Sequence, residues 1–245
     1  MRIIARLDVK NQFVIKGINF EGLRKVGDPM ALAAAYYAAG IDEIIFIDSV
    51  ASLYNRNNLF HIIRAASQQI FVPITIGGGL RSLDDVSSAL DSGADKVAIN
   101  TAAIRDPQLI TDVARRYGAQ CVVGSIQAKR TERGWEAYVE AGRESTGVCA
   151  LEWARRLTEL GAGELLVTSV DQEGTKRGFD IDLIKAVNEA VKVPVIAGGG
   201  YGRTHDLDQL LARTRPNAIC IATVLHYQLQ TIADIRTAAL RIVGL

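Results

Sequence analysis

Short β-branched runs alternate with longer stretches of helical period along the whole 245-residue chain. The predicted strands are "RIIARLDV", "EIIFID", "VPITIG", "KVAIN", "CVVGSI", "ELLVTS", "VPVIAG" and "AICIAT". They are nearly continuous apolar runs, the mark of parallel strands buried on both faces, because a strand with one wet face alternates. Between them lie amphipathic segments such as "DPMALAAAYYAAG", "RSLDDVSSALDSG", "DPQLITDVARRYG" and "TGVCALEWARRLTELG". Several begin at an Asp, Ser or Thr that can cap free N–H groups and stop at a Gly that can leave the helix left-handed. Strand and helix alternating eight times in this length predict an α/β fold, a (β/α)8 TIM barrel. A doubly wound open sheet is the alternative, but it usually has fewer strands. No linker or low-complexity segment interrupts the pattern, so residues 1–245 read as a single barrel domain.

The chain also resembles itself. "FVPITIGGGLRS" at 71–82 matches "KVPVIAGGGYGR" at 192–203, an offset of 121 residues. "IDEIIF" from 41 matches "AGELLV" from 162 at the same offset, which sets Glu43 opposite Glu164. "LDVK" ending at Lys10 matches "IQAK" ending at Lys129, placing Asp8 opposite Gln127. A repeat of about half the chain predicts two fused half-barrels with corresponding sites across one axis.

Composition narrows the function. The chain is 49% hydrophobic and 22% charged, with 28 Lys plus Arg against 27 Asp plus Glu. A net charge of +1 gives no bulk attraction to nucleic acid or to an anionic membrane, so neither is expected as a partner. No apolar run is long enough for a membrane span, and "MRIIARLDVK" enters a strand without a signal-peptide cleavage region. Cys121, Cys149 and Cys220 share no metal or disulfide spacing and read as packing residues in a reducing, cytoplasmic setting. His61, His205 and His226 lack metal-ligand spacing as well, and no metal or cofactor is expected. His61 and His205 fall on helical segments as surface residues, whereas His226 follows the last strand and could touch a ligand.

Candidate chemistry lies at the C-terminal ends of the strands, where barrel enzymes build their sites. "GGG" at 77–79 and 198–200 follows a strand and precedes a helix in each half. Such turns either make a tight connection or let backbone N–H groups approach a phosphate. Asn100–Thr101 and Ala222–Thr223 end the following strands and could complete each cradle, which suggests a ligand with a phosphate at each end. Asp8 and Asp48 close strands, Asp171 and Glu173 follow another, and each is either a catalyst or an ordinary capping or ion-pairing group. Lys10 and Lys16 lie near Asp8 in sequence. Lys16 belongs to "KNQFVIKGINFEGLRKVGDP", about twenty residues that read as a long cationic loop closing over the mouth. At the opposite face Arg2, Glu43, Lys96 and Glu164 begin strands and form either a paired ring or charges fanned into solvent.

"RLDVK", "KGINFEGLRKVGDP", "GIDEIIFID", "ITIGGGLRS", "GADKVAINTAA", "GAGELLVTSVDQEGTKRGFD" and "PVIAGGGYG" together resemble the cyclase subunits of imidazole glycerol phosphate synthase. The match stays in register over essentially the whole chain. The related sugar-phosphate isomerase of histidine synthesis lacks the "KGxNFExLRxxGDP" segment. The resemblance implies a heterodimer with a glutaminase docked on the N-terminal face, and ammonia passing through the barrel to the mouth. There it would convert a ribulosyl-formimino aminoimidazole carboxamide bisphosphate into imidazole glycerol phosphate and an aminoimidazole carboxamide ribotide. It implies a charged ammonia gate at Arg2, Glu43, Lys96 and Glu164, an interface residue at Asp95 and a lid lysine at Lys16. It implies phosphate sites at Gly79, Asn100 and Thr101 in one half, and at Gly174, Gly200 and Thr223 in the other. Asp8 matches one catalytic acid of the family, and Glu173 stands where an Asp is common.

The second catalytic acid falls on Gln127, and Ala141 and Gly198 stand where the family often has serine. An amide cannot shuttle protons near neutral pH, and one lost proton-transfer group costs about 10²–10⁴ in rate. Two readings therefore stand: a cyclase with an altered acid–base pair, or a paralogue that activates a glutaminase and delivers ammonia to another amidotransfer reaction such as amidino-sugar synthesis.

Overall fold

The computed structural model describes residues 1–49, 51 and 59–243. Eight parallel strands close into a barrel: β1 (Arg2–Lys10), β4 (Glu43–Asp48), β5 (Ile74–Gly77), β6 (Lys96–Ile99), β7 (Val122–Thr131), β10 (Glu164–Ser169), β11 (Val195–Gly198) and β12 (Ala218–Ile221). They pair in that order, and the ring shuts through β1 against β12 and β7 against β10. These are the eight strands expected from the apolar runs. Ile4, Ile45, Val123, Leu166 and Ile196 fill the bore, and a larger apolar layer joins the outer strand faces to the helices.

The half-barrel repeat holds at the level of register. Ile4 pairs with Glu43 on β4, and Val123 pairs with Glu164 on β10. Asp8 pairs with Ile47 and Gln127 with Thr168, the same step further along.

Two segments differ from the reading of the chain. The twenty residues after β1 form a hairpin, β2 (Phe13–Ile18) and β3 (Glu21–Gly27), with β2 antiparallel to β1. Its two-residue tip, Asn19–Phe20, has φ of 53° and 62°, the left-handed pair of a type I′ turn, although neither residue is Gly. After β7 comes a matching hairpin, β8 (Gly134–Val139) and β9 (Glu144–Cys149), whose tip residues Glu140 and Ala141 are also left-handed. The helix expected from Thr146 therefore starts only at Ala150. Thr146 Oγ1 donates to Ala137 O at 2.6 Å and Gly147 N donates to Glu136 Oε1 at 2.8 Å, so the strand claims these residues. Both hairpins extend from the C-terminal ends of equivalent strands and fold over the mouth.

Two of the predicted caps hold. Asp28 Oδ1 accepts from Ala31 N at 2.8 Å at the start of the Pro29–Ala38 helix. Ser82 and Asp85 form a capping box on Leu83–Asp91, each cap worth about 1 kcal/mol.

Candidate functional site

At the N-terminal end the four expected charges form a closed ring rather than a fan. Arg2 donates through one terminal nitrogen to Glu43 and through the other to Glu164. Lys96 Nζ donates to the second oxygen of each, at 3.1 Å to Glu43 and 3.0 Å to Glu164. Each carboxylate meets both cations, so the four charges cancel. Both glutamates are buried, and burial works against the Arg2 charge. The hydrogen bonds to Glu164 and Glu43 outweigh that penalty and raise the Arg2 pKa. The ring sits directly below the apolar bore, because Ile4 and Val123 stand beside the glutamates in register.

Asp95 is exposed just before β6, and its Oδ2 accepts from Ile74 N at 2.8 Å. Asp42 does the same for Ile3 N at 2.7 Å, and Asn217 Oδ1 for Val195 N at 3.0 Å. Asp95 thus clamps the start of a neighbouring strand, a task the sequence did not disclose.

At the mouth, each triple-glycine turn demands glycine. Gly78 and Gly199 have φ of 86° and 88°. A Cβ there would lie 2.2 Å from Asp48 O and 2.7 Å from Ser169 O, inside any tolerable contact. The turns therefore press against the preceding strand of each half at equivalent places. In the first half Asn100 Nδ2 donates to Tyr138 O at 3.1 Å and Glu140 N donates to Thr101 Oγ1 at 3.2 Å. Those bonds fasten the β8–β9 hairpin to the Gly79 turn's neighbour. In the second half Gly174, Gly200 and Thr223 wall one small pocket.

The acids are held in unequal ways. Asp8 Oδ1 accepts two bonds from Arg6, from Nε at 2.9 Å and Nη2 at 2.8 Å, while Lys16 Nζ stands 3.7 Å from Oδ2. Burial pushes the Asp8 pKa up, but the charges of Arg6 and Lys16 win and hold it below the usual value. Lys16 is itself buried and donates to Glu173, so the hairpin is seated in the mouth. Asn19 N reinforces the seat by donating to Glu173 O at 2.7 Å. Lys10, at the far end of β1, is exposed, and of the two lysines only Lys16 pairs with Asp8. Asp171 instead accepts from Arg130 N at 2.8 Å. Asp48 is buried and borders the larger mouth cavity. Gln127 is 8% exposed, borders the same cavity, and its Oε1 has no hydrogen-bond partner among the described residues.

Arg6 is the residue that sequence reasoning missed. Its signal was present: two residues before Asp8, it shares that residue's face of a strand whose other members between Arg2 and Lys10 are apolar. Arg6 is 5% exposed, reaches Thr168 Oγ1 on β10 at 3.3 Å, and lies 5.4 Å from the centre of the Phe20 ring. Gly198 fits this arrangement, since a Cβ there would sit 3.1 Å from Thr168 Oγ1. Arg6 borders two of the mouth cavities. The first, of about 290 Å³, also meets Asp8, Gly79, Asn100, Thr101 and Gln127. The second holds only about 20 Å³.

His226 is not a ligand-facing group. It is buried, its Nδ1 lies 2.7 Å from the Tyr36 hydroxyl, and the rings stack at 6.0 Å. Burial and the Lys16 charge lower its pKa to about 4. His61 and His205 are exposed on helices, as expected. The three cysteines are free, and burial raises the Cys220 thiol to about 12. Among the described residues no His, Cys, Asp and Glu cluster could hold a metal, and no helix is long and apolar enough to cross a membrane.

A barrel with a charged ring at one end and paired glycine turns at the other can be set against known proteins. The model of a family described as "Histidine biosynthesis protein" matches residues 2–231. The chain belongs to this family. Imidazole glycerol phosphate synthase subunit HisF of Legionella pneumophila is 55% identical over 209 residues, which is 85% of this chain and 99% of that protein. The subunit of the same name from Streptococcus mutans is 45% identical over 238 residues, 97% of this chain and 95% of its own. That of Mycobacteroides abscessus is 46% identical over 244 residues, with the same two coverages.

Proposed function

We propose that this chain is the ammonia-receiving cyclase subunit of a glutamine amidotransferase of the imidazole glycerol phosphate synthase type. The observation that carries the reading is the neutral ring of Arg2, Glu43, Lys96 and Glu164, closing one end of an apolar bore whose other end opens at the mouth. In this reading a glutaminase docks on the N-terminal face, where Asp95 is exposed and Phe71, three residues before β5, is 76% exposed. Ammonia released there enters through the ring and passes the apolar layer as the neutral molecule. Opening requires only that one cation swing away, since each glutamate keeps the other as partner.

At the mouth Gly79, Asn100 and Thr101 hold one phosphate of the bisphosphorylated substrate, and Gly174, Gly200 and Thr223 the other. Lys16 and the β2–β3 hairpin cover it and keep water out. Asp8, ionised at neutral pH, is the group that accepts and returns protons during ammonia addition and ring closure. Gln127 orients ligand by hydrogen bonding and moves no proton, so the reaction runs with one carboxylate where the family uses two.

A second reading is favoured by one observation, the pair of hydrogen bonds that Arg6 donates to Asp8, which occupies the remaining acid. In it the barrel stimulates its glutaminase and passes ammonia to a different acceptor. Turnover of the bisphosphate with free ammonium, parent beside Gln127→Asp, separates the two. The cyclase reading expects slow product formation by the parent and a gain of about 10²-fold or more in Gln127→Asp. Absence of product from both proteins, with glutaminase stimulation independent of bisphosphate, would establish the delivery role instead.

A further inference from the structure

β1 and β10 stand three places apart around the eight-stranded ring, so a side chain bonded to Asp8 and to Thr168 crosses the bore. That side chain, Arg6, is almost wholly buried and borders two cavities of the mouth. A guanidinium has five N–H donors. Three are spent on Asp8 and Thr168, which leaves one on each terminal nitrogen. Arg6 walls the second cavity together with Gly174, Gly200 and Thr223, so its guanidinium faces a group bound there. The buried carboxylate of Glu173 borders the same space and would repel a phosphate. Lys16 is already committed to Glu173, so the compensating charge that faces the cavity is Arg6.

We propose that Arg6 is the anion-binding side chain of the second-half cradle, and that a ligand phosphate seated there draws the guanidinium off Asp8. Ligand arrival and release of the carboxylate are then one event, and Asp8 becomes a working base only when the mouth is filled. The groups facing Asp8 are Arg6 on its own strand, Lys16 from the hairpin, the Cys220 thiol on β12 and His226 from the helix after β12, with Glu173 beyond Lys16. Only Arg6 both bonds Asp8 and borders the cradle; Lys16 stays tied to Glu173. The inference rests on reading Gly174, Gly200 and Thr223 as a phosphate cradle.

Sulfate tests it, being fully ionised without a titration of its own near neutral pH. On the full chain, the Gly200 amide reports the cradle and a ¹³C-labelled Asp8 carboxyl, assigned through Asp8→Asn, reports its ionisation. Sulfate is expected to shift the Gly200 amide saturably and to move the Asp8 titration upward, toward the ordinary carboxylate value. Arg6→Gln is expected to weaken sulfate at Gly200 by about tenfold or more, the scale of a charged bidentate contact. Arg6→Gln/Asp8→Asn, a neutral pair that leaves no buried charge stranded, is expected to show the same loss. Undiminished affinity in that double variant, or an Asp8 carboxyl indifferent to saturating sulfate, would overturn the proposal while leaving the cradle standing. A Gly200 amide that no anion moves would remove the cradle and the proposal together.

Discussion

At the N-terminal end both half-barrels supply a glutamate from the same register position, Glu43 and Glu164, and two cations bridge them evenly. At the mouth the equivalent positions have parted. Asp8 in the first half faces Gln127 in the second, and Arg6 corresponds in register to Ser125. The ring is thus neutral through pairing across both halves, while at the mouth Asp8 is answered within its own half, by Arg6 on the same strand. A ring of this kind asks nothing of a ligand, because every charge is answered twice. A pinned acid with an amide opposite leaves ligand as the partner that can redistribute the charge. A duplicated barrel can therefore keep evenly paired charges at its N-terminal end while its mouth becomes one-sided.

Breaking the gate should give the largest effect. Arg2→Ala/Lys96→Ala leaves two buried carboxylates without cations, and urea unfolding should show a loss of about 3–5 kcal/mol. Adding Glu43→Gln and Glu164→Gln should recover most of it; a loss that persists would mean that packing, not charge, closes the ring. At the mouth, Arg6→Ala should cost about 3 kcal/mol, toward the low end because Lys16 remains 3.7 Å from Asp8. The double variant with Asp8→Ala should be more stable than Arg6→Ala alone, with a coupling above about 1 kcal/mol in a double-mutant cycle.

The smallest effect separates the two ends by pH. His226 has a folded pKa of about 4. In the unfolded chain it returns to about 6.5, so the unfolded state binds more protons between those values. Stability should therefore rise with pH across that window, His226 contributing about 2 kcal/mol from about pH 5 to neutrality. His226→Asn should flatten that slope in denaturation series, whereas gate variants, whose ring holds no histidine, should leave the slope in place. An unchanged slope in His226→Asn would mean that the ring is protonated within the fold.

Much of this was legible in the chain because parallel strands announce themselves. The eight runs matched eight barrel strands, and strand position alone placed Glu43 and Glu164 at one end and Asp8 at the other. The hairpins were hidden. "FVIKGI" and "EGLRKVG" carry glycines and charges that read as loop, and their strand character comes from tertiary pairing, β2 with β1 and β3 with β2. The helix expected from Thr146 failed for the same reason, since hydrogen bonds to β8 outcompete local propensity. His226 looked available from its place after the last strand, but stacking on Tyr36 and the nearby hairpin lysine seal it away.

The barrel, its twofold repeat and the amide at Gln127 that answers Asp8 were readable along the chain, because periodicity, offset and residue type are properties of the string. Only the tertiary structure decided that Arg6 turns into the bore, clasps Asp8 and reaches Thr168 across the barrel. Arg6 and Asp8 share β1, but Thr168 lies on β10, three places round the ring, and comes within reach only when the sheet closes; no local pattern records that neighbour.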